Sequence, residues 1–139
     1  MLSTKSAKRG KKRIDFNASY FAGYLDGEGC ITISSGGSAY VCISNTYLPI
    51  LKAIKKKYGG LLYRKNHPNP NARQQWRWQA SGATAVSVVA DVLPYLIEKR
   101  EQAILLLEYR SLRSTAENRP RRDEIKSQIK ALKRLEHLV

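Results

Sequence analysis

Two hairpin signatures separated by a helix leave this chain few folds to choose from. In the first, Ile31 and Ile33 alternate with Cys30, Thr32 and Ser34 over residues 30–35. Gly36, Gly37 and Ser38 then supply a turn, and Ala39, Val41 and Ile43 alternate with Tyr40, Cys42 and Ser44. A period of two predicts half-buried strands, and the glycine-rich turn joins them. In the second, a strand over residues 61–65 leads into the breaker-rich NHPNPN segment and then a strand over 75–80. There Trp76 and Trp78 share one face, which their spacing assigns to the core, while Gln75, Arg77 and Gln79 share the other.

The intervening stretches read as helices. The first is capped by Asp15 or Asn17 and runs through Ala18, Phe21, Ala22 and Leu25, where Gly27 and Gly29 weaken its continuation. The second covers 47–57, with Leu51, Ile54 and Tyr58 facing a core, Lys52, Lys55, Lys56 and Lys57 left to solvent or phosphate, and Gly59 and Gly60 ending it. Residues 84–93 form a short apolar helix interrupted near Pro94, and another runs through Leu96, Ala103, Leu106 and Leu107. Helical spacing returns over about 123–138 with Ile125, Ile129, Leu132 and Leu135, either packed on the domain or formed on a partner. The order helix, hairpin, helix, hairpin, helix predicts an α+β fold with helices on one face of an antiparallel sheet. Its other face is then open.

Charge says what such a face meets. The 139 residues suffice for one core, and they carry a net charge of +14. Residues 1–13 hold six basic groups and no acid, a basic flexible tail. Residues 110–139 hold nine basic against four acidic groups, a basic helical extension, and the domain between, 14–109, holds ten against seven. Such a surplus favours a polyanion through steering and counterion release, so nucleic acid leads over an anionic membrane. A ribosomal or nucleoid structural role is the competing reading. The sequence has no apolar run long enough to span a bilayer and no secretory pattern, which predicts an intracellular protein without a membrane partner. Cys30 and Cys42, with His67 and His137 distant, form no zinc-ligand cluster and are expected to be reduced packing or surface thiols.

Strand parity puts Thr32, Ser34, Tyr40, Ser44, Leu62, Arg64, Gln75, Arg77 and Gln79 on the open face. Arginine addresses guanine edges, glutamine adenine, and hydroxyls several edges, although alternating polar residues occur on any exposed sheet. Lys55 and Lys56 of the second helix are expected to position the DNA backbone.

Residues Phe21 to Gly29 read FAGYLDGEG. Two acids at a helix end are weak evidence alone. Here, Gly23 and Gly27 lie one helical turn apart and Ala22 is also small, which permits close helix approach with Asp26 and Glu28 presented at its end. The string resembles the signature of the LAGLIDADG homing endonucleases: Ala22, Gly23 and Asp26 match, Gly27 takes the small position, Glu28 the second acid and Gly29 the close. Phe21, Tyr24 and the glutamate at 28 depart from it. The resemblance extends through roughly residue 109 and implies an αββαββα domain with a saddle-shaped antiparallel sheet and C-terminal helices.

With a single motif, the resemblance implies a homodimer meeting through Phe21, Ala22, Gly23 and Leu25, matched to a partly palindromic duplex. It implies Mg²⁺ or another divalent cation held by Glu28 of each subunit with the Gly27 carbonyl, Asp26 being either a further ligand or a cap. It also implies that Lys99, in VLPYLIEKREQA, stabilises charge and that Asn45 orders water. The implied activity is cleavage of both strands of a long double-stranded DNA site. A noncatalytic DNA-binding protein, or one that assists intron RNA splicing, is the alternative.

Overall fold

The computed structural model describes residues 17–66 and 68–136. The basic tail at 1–13, the alternative cap Asp15, and His67 and His137 lie outside them. The first helix, α1 (Ala18–Glu28), starts where Asn17 Oδ1 accepts from the Tyr20 amide at 3.0 Å, filling one of the donors a helix start leaves orphaned. It passes through Gly27 because the Gly29 amide still bonds back to the Leu25 carbonyl. Gly29 is also the first residue of β1 (Gly29–Ile33), so no loop separates helix from strand. A Cβ there would stand 2.5 Å from Leu25 Cδ2 and 3.2 Å from the Cys42 carbonyl, so any larger residue would have to displace the buried Leu25 side chain.

The remaining elements follow the expected order. They are β2 (Ala39–Asn45), α2 (Leu48–Tyr58), β3 (Leu61–Lys65), β4 (Gln75–Ser81), α3 (Gly82–Val92), α4 (Arg100–Ser111) and α5 (Arg119–Glu136), with a 3-10 turn at Leu93–Tyr95 between α3 and α4. The sheet is antiparallel with spatial order β1-β2-β4-β3. Its inner face carries Ile31, Val41, Ile43, Trp78 and Ala80, and the helices pack there with Phe21, Leu25, Leu51, Ile54, Val88, Val89 and Leu106. Trp78 is fully buried, its Nε1 donating to the Gly59 carbonyl at 2.8 Å, while Trp76 is half-buried beneath the Arg64 guanidinium.

The C-terminal segment is part of this core. Ile125 and Ile129 of α5 are buried with α4 and β1, and Arg121 and Arg122 tie its start to α4. Arg122 also stacks on Tyr109, whose hydroxyl donates to the Gly37 carbonyl in the β1–β2 turn. The helix therefore lies along the β1 edge. No helix among the described residues is long and apolar enough to cross a membrane.

Candidate functional site

The C-terminal end of α1 brings three motif residues and Lys99 together. Asp26 is buried, and its carboxylate is turned toward the segment before α4. Oδ2 accepts from the Ile97 amide at 2.8 Å and Oδ1 from the Lys99 amide at 2.9 Å. The buried Lys99 side chain then reaches back, its Nζ donating to the Asp26 carbonyl at 2.6 Å. A cation is favourable there, where a helix presents its unpaired carbonyls and negative dipole end. Asp26 thus fixes the lysine from both ends, whereas the neighbouring Gly27 and Glu28 are exposed.

Asn45 also reaches this end of the helix. Its Oδ1 accepts from the Thr46 amide at 2.7 Å and its Nδ2 donates to the Tyr24 hydroxyl, one turn before Glu28. Burial pushes the Tyr24 hydroxyl above its ordinary range; the Asn45 bond opposes that, and the Glu28 charge adds to it.

The exposed surface of α1 differs from the expected interface. Phe21, Ala22 and Leu25 are buried in the chain's own core, Phe21 against the rings of Tyr58 and Trp78, so they have no surface left to offer a second copy. Gly23 does lie on the exposed face, with Gly27 and Tyr20. A Cβ on either glycine would meet nothing within 4 Å. Both glycines weaken the helix, by about 0.5–1 kcal/mol each relative to alanine, with no compensating contact inside the protomer.

On the open face of the sheet, register puts Cys30 and Thr32 of β1 beside Cys42 and Tyr40 of β2, and Ser44 and Cys42 beside Arg77 and Gln79 of β4. Gln75 is there too, paired with Lys65. Tyr40 and Tyr63 both donate to Gln79 Oε1 at 2.8 Å, and Arg77 Nη2 donates to Cys42 Sγ at 3.3 Å. Ser34 falls just beyond β1, its Oγ accepting from the Ser38 amide.

Two assignments change. Leu62 and Arg64 pair with Trp78 and Trp76 and so face the helices, while Tyr63 and Lys65 occupy the open side. Lys55 and Lys56 are exposed on α2, in the helical layer that packs on the opposite side of the sheet. The basic wall of the open face comes instead from α5. Lys126, Lys130 and Lys133, with Ser127, border a groove of about 610 Å³ whose other side is Thr32, Ser34 and Tyr40. Their i, i+4, i+7 spacing was readable in the sequence, but nothing there said where the helix docks.

Among the described residues no group of three or more His, Cys, Asp or Glu side chains is placed to hold a metal ion. One chain offers one exposed carboxylate at the motif, Glu28, with backbone carbonyls beside it. That suits a hard cation held by few protein oxygens, as Mg²⁺ is when phosphates and water fill the remaining positions.

No protein-family model matches this sequence, and no curated protein matches it. Solved structures do. The homing endonuclease I-CvuI, crystallised with its target DNA and calcium, superposes with a TM-score of 0.66 at 19% identity, over 83% of this chain and 80% of that one. The homing endonuclease I-TnaI gives 0.62 at 20% identity over 91% of this chain and 100% of its own. I-LtrWI, a LAGLIDADG homing endonuclease bound to target DNA, gives 0.57 at 17% identity, and 91% of this chain covers 52% of that one. At these identities the likeness is one of fold. The chain has a LAGLIDADG-like homing-endonuclease fold, α+β with a four-stranded antiparallel sheet flanked by helices.

Proposed function

We propose that this protein is a site-specific endonuclease of the homing type, which dimerises through α1 and cuts both strands of a long, partly palindromic DNA duplex with Mg²⁺ or another divalent cation. The observation that carries the reading is the division between the two motif acids: Asp26 is buried in holding Lys99, while Glu28 is exposed at the helix end. Bracing accounts for the buried Asp26 but gives no task to the exposed carboxylate two residues further on, and metal binding does.

Each residue has a task in this reading. Glu28 and the Gly27 carbonyl hold the cation, one set from each copy. The bound cation supplies positive charge at the scissile phosphate and acidifies its water. Lys99 adds a fixed positive charge for the oxyanion that forms as the phosphodiester breaks. Asn45 orients water and the Tyr24 hydroxyl beside Glu28. Arg77, Gln75 and Thr32 read base edges, Tyr40, Ser44 and Gln79 complete the polar face, and the α5 lysines contact phosphates.

Bare glycines on the exposed face of α1 support the dimer, because only a closely approaching helix makes use of the missing Cβ atoms. That this chain covers about half of I-LtrWI agrees with two such units making one complete nuclease. The test is selection from a random duplex pool, followed by incubation with Mg²⁺ or chelator. Double-strand cuts that need the metal and disappear in Glu28→Gln support the proposal; tight, selective binding without cleavage by the wild type assigns the chain to noncatalytic DNA binding instead.

A further inference from the structure

The open face holds a chemistry that phosphodiester cleavage does not use. Cys30 and Cys42 are direct cross-strand partners in the β1–β2 ladder. Directly opposed residues of an antiparallel pair have Cα atoms about 4.5 or 5.5 Å apart, and either value lies inside the range a disulfide spans. The two thiols face one another across the ladder, close enough for each to shift the other's hold on its proton. Cations flank both: Arg77 donates to Cys42 Sγ at 3.3 Å, and Lys133 of α5 lies beside Cys30.

The pair therefore gives up its first proton readily and its second reluctantly. The Cys30 thiol, with Arg77 and Tyr40, draws Cys42 down to about 5 against its own burial, and Cys30 is pushed up in turn. Cys30 is half-buried and is the more exposed of the pair, Cys42 being buried, and the Lys133 that flanks Cys30 also borders the groove. Arg77 is committed to this arrangement. Its buried Nε has no hydrogen-bond partner, so the donation to Cys42 is what orients the guanidinium.

We propose that Cys30 and Cys42 form a reversible thiol–disulfide site, closed by a hydroperoxide, which controls whether Arg77 is held in its DNA-reading position. The Cys42 thiolate attacks the peroxide, an S–O bond forming as the O–O bond breaks, and the departing oxide takes the Cys30 proton to leave as water or an alcohol. The Cys30 sulfur then displaces hydroxide from the Cys42 sulfenic acid, forming the S–S bond. Two sulfurs are oxidised, the peroxide is reduced, and a thiol reductant reverses the pairing. A neutral disulfide sulfur accepts a hydrogen bond poorly, so Arg77 is released. This last consequence rests on the DNA-reading role proposed above; the thiol chemistry does not.

The test uses the full reduced chain. After hydrogen peroxide, intact mass under non-reducing conditions is expected to show a monomeric chain lighter by two hydrogen atoms that takes up no alkylating reagent, with dithiothreitol restoring both thiols. Oxygen added separately to the sulfurs, disulfides only between chains, or no reaction would overturn the site. Wild-type chemistry needs no variant to fold. Cys30→Ser, in addition, is expected to yield a dimedone-trapped sulfenic acid at Cys42, and none forming there counts against Cys42 as the attacking sulfur.

The same two samples are then compared on a selected duplex and a scrambled one. Oxidation is expected to lower the affinity ratio about tenfold, the scale of losing one good base contact. An unchanged ratio overturns the Arg77 link. A chain that pairs its thiols but binds neither duplex overturns the DNA reading and leaves the thiol site intact.

Discussion

The two acids of the motif, two residues apart, separate into an inward and an outward role because the helix turns between them. Asp26 accepts from two backbone amides, the part-buried one of Ile97 and the buried one of Lys99. Asp26→Ala is expected to lower unfolding free energy by about 1–3 kcal/mol, chiefly from the orphaned Lys99 donor, in a urea titration. Glu28 is exposed, so Glu28→Gln is expected to abolish metal-dependent cutting while moving stability by less than about 0.5 kcal/mol in the same titration. Loss of stability at 28 comparable to that at 26 would contradict this division. The sequence showed both acids and the lysine that joins them, and the resemblance suggested Lys99. It did not show which acid turns inward, because that depends on the path of a loop more than seventy positions downstream.

Among the elements, the hairpins were legible from period two, and the helices from their apolar spacing, to within a few residues. The exception is β3, where Leu61, Leu62 and Tyr63 are consecutive and give no parity; the ladder with β4 decides it by placing Leu62 against Trp78. The α5 docking was similarly invisible. Its test is Ile129→Ala, a fully buried side chain at the α4 and β1 contact, expected to cost about 2–5 kcal/mol by urea denaturation. A detached helix would show almost no loss. The β1–β2 thiols carry a pH signature. Because Cys42 is lowered from 9.0 to about 5, its contribution is complete above about 9 and is lost as pH falls through 5. Cys30 is raised, so its contribution holds below 9.0 and is lost above it. Stability in reducing buffer is expected to rise from pH 5 toward 9 and then fall, with Cys42→Ser flattening the rise.

At the scale of the whole molecule, the glycine face of α1 makes a prediction of opposite signs. Gly23→Ala and Gly27→Ala place a methyl in open space, so each is expected to stabilise the protomer by about 0.5–1 kcal/mol while weakening dimerisation in sedimentation analysis. A dimer unaffected by both would place the interface elsewhere. The contacts of Asp26 with Ile97 and Lys99 also have a consequence in time. They close loops of 71 and 73 residues, enclosing the entire sheet, so their entropy of closure is met only after β2 has found β4. This end of α1 is therefore expected to be among the last features to form, and a chain that stops short of residue 99 has both motif acids without the lysine and the amides that hold Asp26 in place.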